Sequence, residues 1–218
     1  MKRIFTFLFF FAIAATAVNA QYYYLPFPSA GQNPNGLNTD DEYPVGGGLD
    51  ASWTVIKGPS ATPSWSTAQT IPFAFNFNGN PVTSFKVSTT GILTFDVGTA
   101  LPAPASTSQA LPSASIPDNS ICVWGLAGTG TNDNVVAKTF GTAPNRQRWI
   151  FFSSYSIPGN ASGWTYWSIV LEETTNYIYL VDQRTNGTLN MSLGVQVNNT
   201  TAVSVVGSPN IGTLNSND

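Results

Sequence analysis

The sequence predicts an all-β protein, an antiparallel β-sandwich of jelly-roll or immunoglobulin-like type, with about eleven short strands. Two observations lead to this prediction. Apolar residues recur at every second position, the period of a half-buried strand, while helical spacing is nearly absent. The apolar runs are short and are separated by turn-forming residues, among a total of 19 glycines and 15 prolines. This combination is typical of sandwiches and barrels.

A meander of three strands is the clearest part of the pattern. Apolar residues alternate along 71–77, and the strong hairpin-turn dipeptide Asn78-Gly79 follows them. A second strand alternates along 84–88, and a third begins at Leu93 after a turn that contains Gly91. We therefore expect three neighbouring antiparallel strands in this region.

Eight further runs complete the predicted set, with turns that contain Gly, Pro, Asn and Ser among them. They lie at 53–57, 121–126, 135–140, 148–156, 164–172, 177–181, 191–197 and 202–206. Residues 173–176 are predicted to join two of them as a short hairpin connection.

The first 20 residues have the features of a secretory signal peptide. Lys2 and Arg3 precede an apolar run at 4–15, and a small-residue cleavage site follows, between Ala20 and Gln21. The apolar run is shorter than the roughly 20 residues that span a bilayer. The sequence therefore predicts a signal peptide at 1–20 and a mature chain that begins at Gln21.

The mature chain, residues 21–218, is predicted to form a single β-sandwich domain with a long loop. The stretch 98–118 is rich in Pro, Ala and Ser, as a linker or a surface loop would be. Only four predicted strands precede it, which is too few for a separate core. We therefore interpret it as a surface loop within one domain, with a domain linker as the alternative.

Composition excludes several functions. The chain has no His and one Cys, which excludes a His-based triad, a His-ligated metal and an internal disulfide framework. Loss of Lys2 and Arg3 with the leader shifts the formal charge from −3 to −5. Such an acidic chain lacks the basic surface that nucleic acids attract. Cys122 lies in an apolar strand without a His to activate it, so a buried structural role is expected.

Acidic clusters are the first candidates for chemistry. Glu172 and Glu173 are adjacent, but successive strand residues point to opposite faces, so the pair cannot flank one scissile bond. We interpret both as solvated charges at a strand end. The runs 40–42 and 132–134 offer oxygen ligands for Ca²⁺, yet neither has the spacing of a known calcium loop, and turn formation explains both.

Aromatic residues at 164–167 are the second candidates. In a strand, Trp167 would share its face with Ile169 and Leu171, so we place it in the core. Trp164 and Tyr166 lie on the other face, where they would either stack against a sugar ring or cover the sheet. They are the candidate glycan-stacking residues, and core packing is the competing interpretation.

Four segments taken together resemble one family of secreted modules. They are IPFAFNFNG at 71–79, FKVSTTGILTFD at 85–96, RWIFF at 148–152 and YWSIVLEETTNYI at 166–178. In order, they are similar to the β-sandwich modules of type IX secretion cargo in Bacteroidota-type bacteria. The resemblance implies a surface or extracellular module without catalytic residues. An acidic strand common in such modules is replaced here by ICVWGL at 121–126, and no C-terminal sorting domain is recognisable.

These observations favour a secreted, non-catalytic β-sandwich module with an adhesion, scaffold or surface-interaction role and no cofactor. The expected location is extracellular or on the surface of a Gram-negative bacterium, or periplasmic without a sorting tail. Expected partners are polysaccharides or cell-surface proteins, with no nucleic acid and no membrane span after signal removal. The alternatives are a carbohydrate-binding module that uses Trp164 and Tyr166, and a hydrolase that uses carboxylates only.

Overall fold

The computed structural model describes Tyr22 and residues 33–38, 52–98 and 100–209. The predicted signal peptide at 1–20, its cleavage site at Ala20 and Gln21, and the acidic run at 40–42 lie outside the described residues. The rest confirms the predicted fold class: two antiparallel sheets pack face to face as a β-sandwich. Among the described residues, a 3-10 turn, Pro34–Gly36, precedes the strands.

The described residues form eleven strands, and each corresponds to one of the predicted runs. They are β1 (Thr54–Lys57), β2 (Gln69–Phe77), β3 (Asn80–Val87), β4 (Ile92–Thr94), β5 (Ser120–Trp124), β6 (Asn134–Thr142), β7 (Asn145–Ile157), β8 (Asn160–Glu172), β9 (Ile178–Asn186), β10 (Ser192–Asn198) and β11 (Thr201–Ser204).

Two meanders make up most of the sandwich. One sheet has five strands in the order β1-β6-β7-β8-β9, and the other has six in the order β11-β10-β5-β4-β3-β2. Most neighbours are consecutive in sequence, as the predicted meander over β2, β3 and β4 requires. The pairs β1–β6 and β5–β10 join strands distant in sequence and complete the two sheets.

Side-chain alternation explains how β2 forms. Its residues alternate between exposed and buried, with Ile71, Phe73, Phe75 and Phe77 inside. The Asn78-Gly79 turn then has positive φ at both positions, 49° and 75°, as a type I′ hairpin turn needs. The inward residues join the main core between the sheets, which also contains the predicted core residue Trp167.

Both sheets are apolar on their outer faces as well. On the five-stranded sheet we call this surface the outer aromatic face. It consists of Trp53, Val136, Phe140, Trp149, Phe151, Val170 and Val181, with Tyr166 and Tyr179 at its margin. Residues 33–38, which we call the strap, contribute Leu37 to it. An apolar outer face needs such a cover, because water would otherwise contact it.

The Pro/Ala/Ser-rich stretch lies over the outer face of the six-stranded sheet. Ile116 packs there with Cys122 and Trp124. The indole N–H of Trp124 donates to the carbonyl of Ala105 at 2.8 Å. Hydrogen bonds from the sheet thus hold this long loop in place.

Candidate functional site

Trp164 and Tyr166 lie together at the margin of the outer aromatic face. Both are half-buried, and their rings meet edge to face with centroids 5.6 Å apart. Tyr166 stacks on Phe151 and its hydroxyl lies 3.0 Å from that of Ser154. The guanidinium of Arg184 stands 4.7 Å from the centre of the Trp164 ring. Tyr166 therefore has a packing role, and Arg184 stacks on one face of Trp164.

Glu172 corrects an expectation from sequence. It is not a solvated charge: it is 6% exposed, at the end of β8. Its Oε2 accepts hydrogen bonds from Asn35 Nδ2 and Gln147 Nε2, both at 2.7 Å, and from the Tyr179 hydroxyl at 3.2 Å. Its Oε1 accepts from Thr175 at 2.8 Å. Four neutral donors thus compensate the burial of this carboxylate.

The donors of this network are themselves fixed. Gln147 is fully buried, and its Oε1 accepts the indole N–H of Trp149 at 2.9 Å. Burial and then the charge of Glu172 raise the pKa of Tyr179 to about 12, so its hydroxyl remains a donor at neutral pH. Sequence reasoning missed Asn35 and Gln147, because they lie 137 and 25 positions before Glu172 and no local pattern connects them to it.

Glu173 faces a different partner. Its carboxylate forms a bidentate ion pair with Arg146, with distances of 2.8 Å to Nε and 2.7 Å to Nη2. These hydrogen bonds lower the pKa of Glu173 below its ordinary value. Glu172 and Glu173 are thus engaged in separate contacts. Glu173 lies in the turn after β8, half-buried and ion-paired, so it too differs from the solvated charge expected from sequence.

Asp133 is a carboxylate held by several hydrogen bonds. It is fully buried and accepts backbone N–H groups from Ser60, Thr129, Gly130 and Thr131, at 2.7 to 3.2 Å. The Thr129 hydroxyl donates to it as well. This geometry agrees with the turn-forming role expected for 132–134. In the described part of the chain, no group of three or more His, Cys, Asp or Glu is placed to hold a metal ion.

Cys122 lies fully buried in β5. Burial raises the pKa of its thiol far above the ordinary range, which disfavours the nucleophilic thiolate. The side chain packs beside Ile92 and Trp124 as a small apolar residue, as expected.

The profile of one protein family, described as NIDO related, matches residues 49–217. The chain belongs to the NIDO-related family. The match covers every strand of the sandwich and indicates an extracellular type of module. No curated protein and no solved structure is significantly similar to the chain.

Membership of the NIDO-related family confirms the coarser part of the resemblance drawn from sequence, an extracellular type of module. Nothing in the match concerns type IX secretion or Bacteroidota. No helix among the described residues has the length and hydropathy needed to cross a membrane.

Proposed function

We propose that this NIDO-related chain is a secreted, non-catalytic module that acts in adhesion or as a scaffold at the bacterial surface. The observation that carries the proposal is the family match over 49–217, which indicates an extracellular module. Export by a signal peptide at 1–20 and a Gram-negative source belong to the proposal and rest on the sequence.

Three carboxylates of the sandwich support a non-catalytic role. A general acid or base must reach its substrate directly or through one water. Glu172 instead holds the strap through Asn35. Glu173 joins the end of β8 to the start of β7 through Arg146, and Asp133 fixes a loop through Ser60. Each of these carboxylates accepts hydrogen bonds from protein donors on both of its oxygens, as a structural role requires.

Tyr177 is a suitable contact residue for a protein partner. It is 57% exposed, directly before β9, and its ring meets that of Tyr179 edge to face at 6.4 Å. Tyrosine is enriched in interfaces because it offers a large apolar area and a polar end at low entropic cost.

Adhesion of coated beads to intact cells of the producing organism tests this role. We expect beads carrying the chain to adhere, and Tyr177→Ala to reduce adhesion several-fold. Val55→Ala is the matched control, because Val55 is an exposed apolar residue at 43% on β1, the opposite edge of the same sheet. Adhesion no greater than that of uncoated beads would refute the proposal.

Carbohydrate binding is the second candidate, and the half-exposed Trp164 favours it. A pyranose would stack on the face of the indole opposite Arg184, with Tyr166 at the ring edge. Retention on immobilised polysaccharides should then fall for Trp164→Ala and remain for Tyr177→Ala. No retention of the unmodified chain on any polysaccharide would refute this candidate.

A further inference from the structure

The strap is a preformed turn. The side chain of Asn33 closes it, since Oδ1 accepts the N–H of Asn38 at 2.7 Å and Nδ2 donates to the carbonyl of Asn38. Inside the turn, Asn35 and Gly36 have positive φ, 58° and 63°. A segment whose shape is fixed by its own hydrogen bonds loses little entropy when it docks.

The module holds this turn through side chains. Gln147 Nε2 donates to the carbonyl of Pro34 at 3.2 Å, and Glu172 accepts from Asn35. Leu37 packs on the outer aromatic face, and Pro34 is buried. The strap is thus bound as a ligand is bound: it has an apolar anchor, a backbone contact and one charge-assisted hydrogen bond.

The strap and its docking site belong to different parts of the chain. The strap precedes the family match, which begins at residue 49, whereas Gln147 and Glu172 lie within it. The 13 residues 39–51 connect the strap to the described residues before β1. At no more than about 3.6 Å per residue, a connection of this length spans up to about 45 Å, more than the diameter of a small domain.

We propose that this docking site also takes the strap of a second copy, so that two chains associate by exchanging straps. Every contact made within one chain is made again between two, so the exchange itself loses no interaction. The monomer dominates when the protein concentration is below the effective concentration of the tethered strap at its own site, and the exchanged dimer gains as the protein concentration rises. This inference does not depend on the proposed adhesion role.

A pair of complementary variants of the full chain tests the exchange. Asn35→Asp places a carboxylate against Glu172 within one chain, and Glu172→Gln replaces the charged acceptor of Asn35 by a weaker, neutral amide oxygen. When the two variants are mixed, each strap finds a better-matched site on the other chain: the N35D strap meets the neutral E172Q site, and the strap with Asn35 meets the native Glu172. We expect each variant alone to be monomeric by light scattering, and the mixture to show a twofold mass.

The controls separate exchange from misfolding. The double variant N35D/E172Q restores a matched pair within one chain and should be monomeric at the protein concentration at which the mixture of single variants associates. Asn199→Asp, at an exposed site in the β10–β11 turn, makes the same charge change as Asn35→Asp. A mixture of this variant with E172Q should remain monomeric by light scattering. A peptide of residues 33–38 should bind the N35D chain better than the same peptide with Asp at position 35. A mixture that remains monomeric, or equal binding of the two peptides, would overturn the proposal.

Discussion

The carboxylate of Asp133 accepts the backbone N–H of Ser60 at 3.0 Å, although the two residues lie 73 positions apart. The same carboxylate binds three consecutive backbone N–H groups of its own loop, at residues 129–131. Asp133 therefore joins the segment after β1 to the loop before β6, at one end of the sandwich.

Replacing Asp133 by Asn should destabilise the fold. The variant leaves at least one donor unsatisfied in a buried site, and we expect a loss of about 1–3 kcal/mol in the free energy of unfolding. Urea denaturation measures this loss. Asp118→Asn is the control, because it removes the same charge as Asp133→Asn but from an exposed side chain. Equal stability of the two variants would show that the Asp133 contacts contribute nothing.

The contribution of Asp133 should depend on pH. Burial alone would raise the pKa of Asp133, but hydrogen bonds from Ser60, Thr129 and Gly130 outweigh it, so the pKa lies below its ordinary value. The stabilisation is full above the unfolded-state pKa of about 3.9 and is lost as pH falls through the lower folded-state pKa. The stability difference between wild type and D133N should thus be constant from about pH 7 to 5 and shrink below about pH 4. A difference that persists unchanged to about pH 2 would disagree with this pKa direction.

Gly91 should not tolerate a side chain. It has a φ of 89°, and a Cβ there would lie 1.9 Å from the carbonyl oxygen of Val123, a backbone atom of β5. We expect Gly91→Ala to cost at least about 2–3 kcal/mol or to prevent folding. Gly58→Ala is the matched control, because a Cβ at Gly58 meets nothing within 4 Å. Similar melting temperatures for both variants would rule out this close approach.

Gln196 should determine how firmly the 98–118 loop is held. Its buried amide accepts the N–H of Ser113 at 2.7 Å and donates to the carbonyl of Ser113 at 3.0 Å. Gln196→Leu leaves both backbone groups unpaired, at a cost of about 1–3 kcal/mol. Limited proteolysis should then cleave within 98–118 faster than in wild type. Gln69→Leu, at a half-buried position on β2, should leave the cleavage rate unchanged. Equal cleavage of both variants would mean that other contacts hold the loop.

The sequence predicts the strands well because the signal is local. Alternation along β2 and the Asn78-Gly79 turn depend only on neighbouring residues, and β3 shows a similar alternation. The pairing of β5 with β10 could not be predicted, since it joins strands about 70 residues apart and no short turn specifies it.

The polar contacts were less predictable, because their partners are distant in sequence. Two adjacent glutamates are typical of a solvated strand end, and for Glu172 that interpretation was wrong. Its donors Asn35 and Gln147 come from distant segments that only the folded sheet brings together. Trp164 and Tyr166 were placed on the correct shared face of β8, but the contact of Arg184 with Trp164 depends on pairing with β9.

Binding without catalysis is tested most directly by incubating the purified chain with labelled extracellular polysaccharides and surface proteins. The bound fraction and the length of every recovered molecule are then measured. We predict saturable binding of at least one component, and recovery of all components at their original length. Cleavage products that increase with protein concentration and disappear in Glu172→Gln would contradict a non-catalytic role.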